Sequence, residues 1–174
     1  MLVIPHVSRI NPPYRPIVEI RDDYSRLSID EGFNWDEAFT NIDGGAWYLV
    51  AFRSKHRADA DDDYLCWLDE RAARAASRHP GFMYSFIGTP LIDGSCLSFC
   101  RWHSRPDAVV AAADPEHRAA MVKRLPCFEH DLLERYEVVK RDGALSFLPL
   151  APHPPSGSPH PESTAVRPAS ISAI

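Results

Sequence analysis

The sequence predicts an α+β domain with the element order β-α-β-β-α-β, and three observations carry that reading. First, Gly81 to Ser104 (GFMYSFIGTPLIDGSCLSFCRWHS) reads as two extended runs joined by a turn. Phe82, Met83, Tyr84, Phe86 and Ile87 are large apolar groups that suit a pleated, packed surface. Thr89-Pro90 stops the run, Ile92-Asp93-Gly94-Ser95 supplies turn chemistry, and Cys96 to Trp102 runs extended again. Second, a stretch with helical periodicity lies on each side of this pair. Third, a further extended run lies beyond each helix. Together these give the split βαβ, or ferredoxin-like, arrangement: an antiparallel sheet with helices on one face.

Three segments are expected: residues 1–43 as an extension, 44–150 as the ferredoxin-like domain, and 151–174 as a tail. In the extension, Pro5, Pro12, Pro13 and Pro16 prevent a regular helix. Pro16 to Ile20 suits a short edge strand, where a leading proline is tolerated. From Glu19 to Asp43 eight carboxylates face only Arg21 and Arg26, yet Tyr24, Ile29, Phe33, Trp35 and Phe39 are interleaved with them. A disordered acidic arm would lack so many large apolar groups. The arm is therefore expected to wrap the domain; lidding a pocket or reaching a partner subunit are the alternatives.

Trp47 to Arg53 (WYLVAFR), after the Gly44-Gly45 break, is apolar on both faces, as an interior strand covered on both sides would be. Asp59 to His79 is the first helix. Its start carries Asp59, Asp61, Asp62 and Asp63, which cap free N–H groups and meet the positive end of the dipole. Leu65, Leu68, Ala72, Ala75 and Ala76 make its apolar face, and His79-Pro80-Gly81 ends it. After the central pair, Ser104 with Arg105-Pro106-Asp107 reads as a cap with proline in the first turn. Ala108, Val109 and Ala112 then form a small apolar face. Asp114-Pro115-Glu116 opens a second helical stretch that runs past His117, Ala120 and Met121 until Pro126. Leu133 to Lys140 (LERYEVVK) is the last core strand, with Arg135 and Glu137 on its polar face; it ends at Asp142-Gly143. Ala144 to Leu150 adds a short strand. The tail scatters Pro152, Pro154, Pro155, Pro159, Pro161 and Pro168 among serines and buries too little to fold.

Composition narrows the function. A hydrophobic content of 45% with 25% charged residues is globular. A net charge of -5 and a pI near 5.9 argue against a nucleic-acid surface, which needs a basic face. No apolar run approaches the roughly 18 to 20 residues that cross a bilayer. The start, MLVIPHVSRINPP, lacks the basic head and long apolar centre of a signal peptide, so a cytoplasmic home is expected. There Cys66, Cys96, Cys100 and Cys127 stay reduced. Cys96 and Cys100 share a strand face with Ser98 and Trp102. They read as small buried groups or as half of a metal site completed by His103 or His117; the spacing falls outside zinc patterns, so no metal is expected. GxGxxG, GxxxxGK[ST], GxSxG and HExxH are all absent.

The run of GFMYSFIG, CLSFCRWHS, an alanine-rich helix with DPEH, and ERYEVV resembles the antibiotic biosynthesis monooxygenase-like group of dimeric α+β barrels. The shared features are Gly81-Phe82 at the start of the second strand, Trp102-His103-Ser104 leaving the third, and His117 in the following helix. They span about Trp47 to Lys140. The resemblance implies a homodimer whose two sheets close into a barrel, which also removes exposed edges. It implies a cofactor-independent oxygenase or related enzyme acting on an apolar or phenolic molecule, with no cofactor. The alternative is a non-catalytic dimeric barrel that binds a small ligand or a protein partner. Haem degradation is disfavoured, because WYLVAFR holds no asparagine at the position where haem-degrading relatives carry theirs.

Cofactor-free oxygenation needs a base and an apolar cavity, and histidine suits the base with a reference pKa of about 6.5. His117 is the candidate base; a surface histidine beside a helix cap is the other reading. Trp102 is a candidate stacking platform or a core residue. Tyr84 is a candidate hydrogen-bond donor, although it is expected to share the packed face of Phe82 and Phe86. Arg53 and Arg101 are candidate oxyanion partners or solvent-facing strand ends, and His103 a candidate ligand contact or a residue starting a helix.

Overall fold

The structure, a computed structural model, describes residues 14–151. Pro5, Pro12, Pro13 and the Pro152–Pro168 series lie outside that range. The elements are α1 (Trp35–Ala38), β1 (Gly45–His56), α2 (Asp62–Ala76), β2 (Phe82–Phe86), β3 (Ser95–Trp102), α3 (Arg105–Ala112), α4 (Pro115–Arg124), β4 (Phe128–Arg141) and β5 (Ala144–Pro149). One antiparallel sheet runs β2-β3-β1-β4-β5. Its first four strands carry the ferredoxin-like order, with β3 slotted between β1 and β2. β5 is added by a tight hairpin in which Asp142 (φ 51°) and Gly143 (φ 80°) take the left-handed conformation that a two-residue turn requires.

The caps sit where the sequence places them. Asp61 accepts from Tyr64 N at the start of α2, Ser104 from Asp107 N at α3, and Asp114 from Glu116 N and His117 N at α4. Helix α2 buries Leu65, Leu68, Ala72, Ala75 and Ala76 as its periodicity predicts. It packs on α4 through Leu68, Ala72, Ala120 and Met121, with Arg78 pairing Glu116 at 2.9 Å.

Two expectations are corrected. In α3 the buried residues are Ala108 and Ala111, whereas Val109 is 59% exposed. The eight residues of α3, just over two turns, are too few for periodicity to separate adjacent faces, and the small alanines are what let α3 approach the sheet. Strand β4 begins at Phe128, five residues before the expected Leu133. Its leading residues pair with the far half of β1, as in Arg53↔Leu132 and Lys55↔His130, while Glu129, His130 and Leu132 remain exposed. With no buried face they carry no alternation to read.

The sheet has two covered faces. Tyr48, Val50 and Phe52 of β1 and Cys96, Ser98, Cys100 and Trp102 of β3 point to the helices. Trp47, Leu49, Ala51, Leu97 and Phe99 point the other way and meet residues 14–43. There Phe33 packs edge-to-face on Phe86 (5.0 Å) and Phe99 (5.1 Å), and Phe39 on Trp47 (5.1 Å). Tyr84 Oη donates to Ile17 O (2.7 Å), Tyr24 Oη to Thr89 O (2.8 Å) and Lys140 Nζ to Phe39 O (2.6 Å). The expected edge strand at Pro16 to Ile20 is limited to one bridge, Glu19↔Phe33. Among the described residues no helix is long and apolar enough to cross a membrane.

Candidate functional site

Between the helix-facing side of the sheet and the α3–α4 layer lies a cavity of about 320 Å³. Its floor is Tyr48, Val50 and Phe52 of β1 with Leu133 and Arg135 of β4; Ala108, Val109, Met121 and Val122 roof it. The walls are apolar, and its polar groups come from His117, Arg118, Arg135 and Tyr48.

His117 is placed by its cap. Asp114 Oδ1 accepts from Glu116 N (2.8 Å) and His117 N (3.1 Å), which fixes the first turn of α4 and holds the imidazole over the cavity. Its Nδ1 is buried without a hydrogen-bond partner among the described residues. Burial lowers the pKa below 6.5 against the opposing pull of Asp114. The ring is therefore neutral at pH 7 and keeps one nitrogen free to accept a proton. A smaller space of about 30 Å³ also touches His117 and is bounded by Asp69, Ser85, Ser98 and Cys100. It has room for a water molecule beside polar groups.

The other candidates do not join His117. Tyr84 and Arg101 lie on the opposite face of the sheet, sealed under residues 14–43. A β-bulge between Phe82 and Tyr84 breaks the period of two, so Phe82 packs with the helix layer and Tyr84 with the arm. The Arg101 guanidinium sits 4.2 Å from the Tyr14 ring and 4.8 Å from Phe39, and burial pushes its pKa down to about 10. Arg53, on the same face, is paired with Glu134 at 2.7 Å and donates to Ser25 O. Trp102 is core, edge-on to Phe82 at 5.3 Å. His103 is exposed at the end of β3, its N–H donating to Gly81 O (2.9 Å). The sequence reading missed Arg135, Arg118, Tyr48 and Met121. For Arg135 the signal was its alternation with Tyr136 and Val138; the register Val50↔Arg135 is what turns that polar face into a cavity floor.

A second cleft holds His56, Asp62, Cys66 and Cys96, with His56 Nδ1 and Asp62 Oδ1 2.8 Å apart. Burial and neighbouring carboxylates push the Cys66 thiol up, and burial pushes Cys96 to about 12, so neither is a ready nucleophile. The described residues contain no group of three or more His, Cys, Asp or Glu placed to hold a metal ion.

No curated protein matches the chain in sequence. Solved structures that resemble it include a dimeric ferredoxin-like protein of unknown function from Thermobifida fusca (12% identity, 52% of this chain and 90% of that one, TM-score 0.45). A cofactor-independent oxygenase from Streptomyces nogalater matches at 16% identity over 52% of this chain and 89% of that one, TM-score 0.44. A hydroxynitrile lyase from Passiflora edulis matches at 12% identity over 55% and 94%, TM-score 0.45. These are likenesses of fold. The strand order observed here is the ferredoxin-like one. The PB2B2.08-like family matches residues 14–150, and the chain belongs to it.

Proposed function

We propose that the protein takes a small apolar or aromatic molecule into the cavity between the sheet and α3–α4 and acts on it as a cofactor-independent oxygenase or related enzyme, with His117 as general base. The observation that carries this is a histidine that lines an apolar cavity and whose buried Nδ1 has no hydrogen-bond partner among the described residues. His117 accepts a proton from a phenol or an acidic C–H. The apolar walls keep water from the resulting anion, and an electron-rich anion is the form that meets dioxygen directly. A cytoplasmic location and a homodimer are part of the proposal, with one change to the expected dimer. Phe33, Trp35 and Phe39 already occupy the sheet face that barrel closure would use, so this chain pairs through another surface.

Oxygen uptake with anthrone as probe tests the base. Substituting His117→Ala is expected to lower the rate by about 10² to 10⁴-fold. An unchanged rate removes His117 from catalysis, and no uptake by the unaltered protein favours a binding role. The titration of His117 followed by NMR is expected to have its midpoint below 6.5, because burial penalises the cation. The neutral, proton-accepting form therefore persists as pH falls past 6.5, and the acid limb of the uptake rate lies below that value. An NMR midpoint at or above it contradicts the placement of the ring.

A further inference from the structure

The ligand of this cavity is described by one arginine. Arg135 lies on the floor, opposite Val50 in the β1–β4 register and half-buried. Its side chain has no hydrogen bond or ion pair among the described residues. Three arginines that are half-buried or buried are engaged within the chain. Arg53 engages Glu134 at 2.7 Å, Arg124 engages Asp69 at 2.7 Å, and Arg101 is stacked on two rings. Glu137, two residues along on the same face, is exposed and does not pair with Arg135. Arg118, exposed at the rim, also lacks a carboxylate partner among the described residues, so two guanidinium groups border a largely apolar space.

A half-buried guanidinium with free donors favours an anion, and its planar fork fits the two oxygens of a carboxylate. An apolar cavity without such a group would reject a charged ligand, since burying an unpaired anion is costly. We infer that the cavity selects molecules with a flat apolar body and one anionic oxygen group, a carboxylate or phenolate, held by Arg135 with Arg118 at the rim. This rests on the cavity being the ligand site. It adds a selection by charge that size and apolarity alone would not give, and it sets the ligand's orientation: charged end towards β4, ring along Tyr48, Val50 and Phe52.

The test uses 2-naphthoate and its neutral counterpart 2-naphthamide, titrated into the full chain at pH 7.5 by calorimetry. Naphthoate is expected to bind at least about tenfold tighter, the ordinary worth of a charge-assisted hydrogen bond. In Arg135→Gln that ratio is expected to fall to about one while the naphthamide affinity holds, and in Val50→Trp both ligands are expected to be lost. Equal affinities in the unaltered protein overturn the charge selection, a ratio that survives Arg135→Gln overturns the assignment of the anion to Arg135, and both leave the cavity standing. If neither compound binds, or naphthoate still binds Val50→Trp, the cavity reading falls with it.

Discussion

Replacing Phe33 with alanine is expected to cost about 3 to 5 kcal/mol, lowering the melting temperature by roughly 10 to 15 °C. Phe33 is 3% exposed and stands at the centre of the layer between residues 14–43 and the sheet. It meets Tyr24 at 5.6 Å, Phe86 at 5.0 Å and Phe99 at 5.1 Å, all edge-to-face. Removing the ring loses its transfer free energy and leaves a void that three fixed aromatic walls cannot close. The segment is tied down by packing and a few long-range hydrogen bonds rather than by a strand ladder, since its one bridge is Glu19↔Phe33. Its detachment is therefore expected as a separate, earlier transition in the variant. Detachment uncovers Leu49, Leu97, Phe99 and Val138, each 0% exposed in the intact fold. An uncovered apolar sheet face of that size invites self-association. Thermal unfolding with sedimentation velocity reads both effects. A shift under about 3 °C with no change in sedimentation would mean the arm contributes little to the fold.

The fold was legible in the sequence because local signals agreed with it. Ser104, Asp114 and Asp61 cap the helices from the positions their chemistry predicts, and the two extended runs around Asp93-Gly94 are adjacent strands. The interleaved aromatics of residues 14–43 were equally visible, but the face they cover depends on the strand parity of Leu49 and Phe99. The candidate site was less legible for the same reason. Tyr84 and Arg101 are one strand apart and near the right motif, yet parity and the bulge after Phe82 send both to the arm side. The position of His117 in the first turn of a helix was legible because a cap fixes it locally, with Asp114 three residues before it. Arg135 was not, because its position on the cavity floor exists only once β4 is paired with β1.

The second large effect is expected at Arg124. Its guanidinium is 5% exposed, bonds Asp69 at 2.7 Å, lies 3.7 Å from Asp131, and covers the rings of Phe52 and Phe128. Substituting Arg124→Met keeps much of the stem packing on those rings but strands the Asp69 carboxylate between α2 and the sheet. Breaking a buried pair from one side costs about 3 to 5 kcal/mol, and the lower end is expected because the Asp69 side chain retains 20% exposure. The loss should depend on pH in a defined direction. Burial already pushes the Asp69 carboxyl above its ordinary value while Arg124 pulls it down. With that pull gone the folded-state value rises further above the unfolded one, so folding of the variant favours the protonated acid. Stability of the variant relative to the unaltered protein then improves as pH falls through the raised folded-state value, and the deficit is widest on the alkaline side. Adding Asp69→Leu to Arg124→Met removes the stranded charge and is expected to restore most of the loss at pH 7.5. Urea unfolding of the three proteins at pH 5.5 and 7.5 measures this, and a deficit that is independent of pH, or that the double variant does not relieve, would assign the role of Arg124 to packing on Phe52 and Phe128 instead. Because Asp69 also borders the small space beside His117, a stranded carboxylate there would raise the His117 pKa towards its ordinary value, so the same variant links this ion pair to the proposed base.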